Sequence, residues 1–236
     1  MAEVERAHGP ALPEHLREVA GRLLGDRLEL AERFVAMLAT DGLERGLIGP
    51  REVDRLWERH VINCALLVDA IGPEARTLAD IGSGAGLPGV VLAIARPDLR
   101  ITLVETMQRR AVWLEEVTDV LGLDVEVVRA RAEDLHGDRT FDVVTARAVA
   151  ALGKLAGWTL PLVSDGGELL ALKGISAADE IEAAGKALRR VKGTDPQVLT
   201  LGSGEVEVPT TVVRVRRGPS TTDPHAAGTR KGEGRG

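Results

Sequence analysis

Tyrosine is absent from this chain of 236 residues, and aromatic side chains make up only 2% of it. Packing must therefore rest on Leu, Val, Ile and Ala. The single cysteine, Cys64, excludes an intrachain disulfide and a cysteine-rich zinc site, and is expected to be a small buried apolar residue. His60 has no second His, Cys or acid at ligand spacing, so no metal site is expected. It reads first as a core or helix-face histidine and second as a substrate-facing one. The opening residues, MAEVERAHGP, lack the apolar centre of a signal peptide, and no apolar run reaches membrane-spanning length. A cytoplasmic protein without membrane contact is expected. A net basic charge is also lacking: 36 acidic residues against 30 basic ones give a formal net charge of −6. Six basic residues against two acidic ones lie between Arg214 and Gly236, so any basic footprint must be local. Charge alone argues against a nucleic-acid partner, and DNA is not expected.

What is present is globular: 44% hydrophobic and 28% charged residues. Residues 13–24 and 26–40 read as amphipathic helices, and a longer helix is expected over 51–71, with Val53, Leu56, Trp57, Val61, Cys64, Leu67 and Val68 on one broad face. Gly72-Pro73 stops it. From 77 onward strands alternate with helices. Strands are expected near 77–81, 100–105, 124–129, 141–146 and 167–172, and helices near 86–95, 107–121, 149–163 and 176–191. That alternation predicts an α/β fold with five parallel strands and right-handed crossovers. Two further runs, 197–201 and 208–216, have no helix between them and should form an antiparallel hairpin. The expected division is a helical cap over 1–72, a sheet domain over 73–217 and a disordered, Gly/Pro/Ser/Thr-rich tail over 218–236.

The chain is organised around Leu78–Gly89, LADIGSGAGLPG. An apolar strand (Leu78, Ala79, Ile81) ends in glycines at 82, 84, 86 and 89, and an aliphatic helix follows. Such a turn brings bare backbone and a helix N-terminus to a nucleotide-like ligand. Read from Gly84, the letters match G-x-G-x-x-G; read from Gly82, where the strand ends, Leu87 takes the third glycine's place. Asp80 is the second discriminator: a carboxylate there repels a pyrophosphate and attracts an ammonium group. S-adenosylmethionine carries an α-amino group and a sulfonium and no phosphate, so it fits better than a dinucleotide. A purely structural turn is the third reading.

Glu105 ends the second strand about 20 residues on, where an acid accepts hydrogen bonds from ribose hydroxyls. The alternative is a surface glutamate. Ala132 and Glu133, in Arg131–Leu135 beyond the third strand, are placed either for an adenine edge or as a plain helix cap. Arg147 ends the fourth strand and Lys173 the fifth. Both open onto the crevice at the carboxyl edge, and an unpaired cation would be costly to bury there. For Arg147, holding the donor's carboxylate competes with orienting the acceptor. For both residues the alternative is a structural salt bridge.

Asp80-Ile-Gly-Ser-Gly-Ala-Gly-Leu-Pro-Gly89, Arg131-Ala-Glu133, Arg147-Ala148, Ala171-Leu-Lys-Gly174 and Arg59-His60 together resemble the glucose-inhibited division protein B family, over roughly residues 50–216. The resemblance implies an S-adenosylmethionine-dependent methyltransferase, with a Rossmann-like sheet, that modifies a guanine N7 in 16S ribosomal RNA or the small ribosomal subunit, acting as a monomer. It also implies donor contacts at Gly82, Leu87, Ala132, Glu133 and Arg147. One departure stands out: family members commonly carry Asp-Ser after Arg-His, where this chain has Asn63-Cys64. The bottom-up site comprises Arg147 and Lys173 as catalytic candidates, with Asp80, Gly82, Gly84, Gly86, Leu87, Glu105, Ala132, Glu133 and Arg147 around the cofactor. Two rival functions are a small-molecule methyltransferase and a non-enzymatic RNA-binding domain.

Overall fold

The computed structural model describes residues 9–219, so the expected tail from 220 onward lies outside the described residues. The N-terminal part contains α1 (Arg17–Leu24) and α2 (Leu28–Met37), both amphipathic. The helix expected over 51–71 is not one regular helix. It runs as a 3-10 segment Pro50–Arg55, wide π turns Leu56–Ile62, the short α3 (Asn63–Ala65) and a 3-10 segment Leu66–Ala70. Its buried positions explain the change of pitch. Leu56, Trp57, Val61, Ile62, Cys64, Ala65, Leu66 and Leu67 are all buried and do not share one stripe at 3.6 spacing. Winding wider and then tighter turns them all inward.

The sheet domain continues as β1 (Thr77–Ile81), α4 (Gly89–Ala95), β2 (Arg100–Val104), α5 (Gln108–Leu121) and β3 (Val125–Val128). It is completed by β4 (Phe141–Arg147), α6 (Leu152–Thr159), β5 (Val163–Lys173), α7 (Ala177–Arg190), β6 (Gly193–Leu201) and β7 (Thr210–Arg217). Strand order is β3-β2-β1-β4-β5-β7-β6. The first five strands are parallel, and β7 runs antiparallel between β5 and β6. The hairpin expectation holds, although β6 begins at Gly193, earlier than its apolar run. The helix expected over 149–163 stops at Thr159; a 3-10 turn, Leu160–Leu162, carries Pro161 and hands the chain to β5. Gly122, in the left-handed conformation, terminates α5.

The N-terminal helices share one apolar cluster with the sheet. Leu16, Phe34, Leu56 and Leu67 pack with α4 and α5 residues and with Leu78, Leu103, Leu170 and Val212. The opposite face of the sheet, through Ala79, Val144, Leu169 and Val213, is covered by α6 and α7. Chain order reverses between β1 and β4, which opens a crevice at their carboxyl ends. Because the N-terminal segment covers one face, His60 and Cys64 come to stand at that crevice.

Candidate functional site

The bend after β1 is built by accounting for its N–H groups. Gly82 N and Ser83 N donate to Val104 O at 2.8 and 3.2 Å, and Gly86 N and Leu87 N donate to Ser83 O at 2.7 and 3.2 Å. Gly84 N donates to Glu105 Oε2 at 3.0 Å, and Gly89 N donates to Asp80 Oδ2 at 2.9 Å. Pro88 has no N–H. The expectation that free amides at the start of α4 face the ligand is corrected for most of the bend: protein acceptors, two of them carboxylates, hold six of the seven N–H groups from Gly82 to Gly89, and the seventh belongs to Ala85 on the cavity wall. A pyrophosphate needs those amides. The bend is suited to a ligand without phosphate.

Asp80 is corrected with it. It is fully buried, holds the first turn of α4 through Gly89, and does not line the cavity; its Oδ1 has no partner among the described residues. Burial pushes its carboxyl up to about 7, against the pull of the Gly89 amide. Gly86 also stays off the cavity wall. At φ +96° it passes Val90, whose Cγ2 would be 2.6 Å from an added Cβ. Gly86 serves packing, as does Gly89, where an added Cβ would lie 2.3 Å from Leu103 Cδ2. Gly82 and Gly84, at φ +75° and +58°, do line the cavity, together with Leu87.

That cavity, about 670 Å³, is bounded further by Glu105, Arg110, Ala132, Glu133, Arg147 and Trp158. Glu105 is buried; besides Gly84 it accepts from Met107 N at 2.8 Å, so it braces the bend as well as facing the cavity. Ala132 and Glu133 sit in a 3-10 turn, Ala132–Leu135, held where Arg131 N donates to Asp134 Oδ2 at 3.0 Å. Leu47, Ile48 and Trp158 are wall residues that the sequence reading missed. Leu47 and Ile48 lie in the Gly46–Pro50 break, where an apolar pair inside a turn was the available signal.

Arg147 is fixed by the helical segment. Its guanidinium donates to Cys64 Sγ at 3.1 Å, to Arg59 O at 3.0 Å and to His60 Nδ1 at 2.7 Å. Because Nδ1 accepts, the His60 proton sits on Nε2, which donates to Glu52 Oε2 at 3.0 Å. Burial and the Arg147 charge hold His60 below its ordinary value. His60 and Cys64 are thus tied to Arg147, a connection that the sequence reading did not make.

Lys173 does not enter the cavity. Its ammonium donates to Glu180 Oε2 at 2.7 Å and to Ala150 O at 2.6 Å, joining the end of β5 to α7. A side chain so committed has no donor aimed at the donor cavity, and the salt-bridge alternative describes it. Among the described residues, no cluster of His, Cys, Asp or Glu could hold a metal ion, and no helix is long and apolar enough to cross a membrane.

The fold has counterparts among known proteins. Among solved structures, ribosomal protein L11 methylase from Lactobacillus delbrueckii subsp. bulgaricus superposes with a TM-score of 0.51 at 15% identity, covering 67% of this chain and 79% of that one. The N-methyltransferase NodS from Bradyrhizobium japonicum, solved with S-adenosyl-L-homocysteine, gives 0.50 at 15% identity, over 76% of this chain and 98% of its own. Both likenesses concern the fold. Sequence relatives are much nearer. A ribosomal RNA small subunit methyltransferase G from Nocardioides sp. is 60% identical over 207 residues, 87% of this chain and 81% of the relative. One from Rhodococcus jostii is 50% identical over 222 residues, 93% and 97%. The profile of the rRNA small subunit methyltransferase G (GidB) family matches residues 27–208, and the chain belongs to that family.

Proposed function

We propose that the chain transfers a methyl group from S-adenosylmethionine to N7 of a guanine in 16S ribosomal RNA. The observation that carries the cofactor half of this reading is the bend in which six of the seven N–H groups from Gly82 to Gly89 are spent on Asp80, Glu105 and main-chain acceptors, too few remaining for a pyrophosphate, beside a cavity of about 670 Å³. The RNA half is supported by family membership and by the relatives' names. In this reading Glu105 takes the ribose hydroxyls, Ala132 and Glu133 the adenine edge, Gly82, Gly84 and Leu87 the methionine portion, and Arg147 the carboxylate.

When bound, S-adenosylmethionine would supply an electrophilic methyl group together with its own leaving group, the neutral thioether. Guanine N7 already presents an in-plane lone pair, so no residue has to remove a proton. The work left to the protein is proximity and orientation. The base becomes cationic, so a cation aimed at N7 would oppose transfer. Arg147, turned to Cys64, Arg59 O and His60, is oriented away from that role.

Mapping a methyl label on ribosomal RNA from cells with and without the chain tests the proposal: one guanine should lose its N7 methyl in the deletion. An unchanged methyl map overturns it. The net charge of −6 favours a second reading, a small-molecule acceptor. In that case the label appears in the metabolite pool and not in RNA.

A further inference from the structure

Three hollows meet at Arg147. One is the donor cavity; a second, about 470 Å³, lies under the N-terminal segment, and a third, about 620 Å³, lies at the carboxyl ends of β4 and β5. Resting on the RNA-methylation reading above, we infer that the third hollow receives the acceptor nucleotide, with Val149 and Ile175 as its aliphatic grips.

Connection is the first argument. The third hollow shares Arg147, Ala148 and Val149 with the donor cavity, so a base seated in it borders the donor along a whole loop. Val149 is the hinge of that border: its Cγ2 would be 3.0 Å from a Cβ at Gly82, and the side chain is still 37% exposed. Left-handed backbone at Ala148, φ 54°, turns the loop around the end of β4. The second hollow shares only His60 and Arg147 with the donor cavity.

Charge is the second argument. The second hollow sets Glu52, Glu58 and Glu207 against Arg55, Arg59 and the shared Arg147, a wall of no net positive charge and a poor setting for a phosphate-bearing chain. The third sets Arg147 and Lys173 against Glu180 alone, and the neutral Asn63 stands between it and the second hollow. Asn63 is neutral where the family resemblance leads to an acid. Its amide donates to Thr210 Oγ1 at 2.7 Å, which ties the hollow to β7 without adding negative charge.

Surface chemistry is the third. Phe34, Phe141, Trp57 and Trp113 are buried, and Trp158 faces the donor cavity, so no aromatic stands at this hollow to stack a base. Apolar surface there is aliphatic. Ile175 follows the wall residue Gly174 and is wholly exposed, at 105% of its reference area. Val208, 78% exposed, lines the second hollow. It supplies the control.

The test uses purified protein, small ribosomal subunits lacking the methyl group, and the same ribosomal RNA substituted with 6-thioguanosine. Wild type must first transfer label to RNA; failure there overturns the RNA-methylation reading itself. Given that activity, Ile175→Ser should raise KM for the RNA about tenfold, the worth of a lost apolar contact. Ile175→Leu should restore it, and Val208→Ser should leave it unchanged. S-adenosylmethionine affinity by calorimetry should be the same in all three variants. Ultraviolet crosslinks from the thioguanine should map to residues 148–151 or 173–175. Crosslinks at 206–208, or a KM that responds to Val208→Ser and not to Ile175→Ser, assign the acceptor to the second hollow and overturn the inference.

Discussion

At the scale of single residues, Arg147 is the wall residue that ties the sheet to the N-terminal segment. A guanidinium is rigid and always charged, so three acceptors in different directions, Cys64 Sγ, Arg59 O and His60 Nδ1, fix its plane. Arg147→Ala removes a cation from the junction of all three hollows, and we expect methyl transfer to drop by about 100-fold or more, the cost of lost orientation. Arg147→Lys should not rescue it, because one ammonium cannot meet all three acceptors in the same geometry. Label transfer to small subunits is the measurement, and normal turnover of the alanine variant would remove Arg147 from the site. His60 sets a pH limit on the same contact. Only the neutral ring can accept at Nδ1, while Glu52, Arg59 and Arg147 face it. Its folded value lies below the ordinary 6.5, so the unfolded chain takes up the proton first and stability falls as pH drops below 6.5. Activity should show an acid limb below that pH. His60→Asn, which offers an amide oxygen in place of Nδ1, should keep activity and flatten the limb; an unaltered limb would show that another group titrates there.

At the scale of elements, the bend between β1 and α4 is tied by the Gly89 N–H on Asp80, an acid whose burial opposes its ionisation. Asp80 rises from 3.8 to about 7, so the folded protein binds a proton between those values that the unfolded chain releases. Stability therefore falls as pH rises through that window, by a penalty on the order of 4 kcal/mol once the group is fully ionised. Asp80→Asn keeps an oxygen for Gly89 N–H and removes the charge. The Tm of the variant relative to the native protein should rise by several degrees between pH 4 and pH 8. A difference that does not change with pH would mean that Asp80 is neutral throughout or solvated. This element also shows how far the sequence could be read. The glycine run, the acid before it and the strand–helix alternation all follow from local rules, and they located the bend, the crevice and the five-strand order of events. Which face each polar group takes does not follow from spacing. Asp80 and Lys173 both sit where a ligand contact was expected, and both are turned to protein partners, Gly89 and Glu180, for reasons of packing. The broken helix over 50–70 was equally hidden, because its apolar residues only make sense against two neighbours at once.

At the scale of the whole molecule, the difficulty is how a chain of net charge −6 engages a polyanion. Part of the basic surface is already neutralised: Arg22 pairs with Asp69 and Glu205, Arg45 with Glu116, Arg96 with Asp98, and Arg139 with Glu126. Cations paired in this way release few counterions when RNA binds, and each phosphate contact contributes a salt slope of about 0.7 to 0.9. With contacts confined to the neighbourhood of Arg147, roughly two phosphates are engaged, and affinity should fall only about tenfold between 50 and 200 mM salt. Recognition then depends on the fit of a folded RNA surface around the hollows, as expected for a protein with almost no exposed aromatics to stack splayed bases. Binding to small subunits measured across that salt range decides the matter. A loss of a thousandfold or more would require a broad basic face, and the paired arginines seen here would have to open their ion pairs on RNA to provide it.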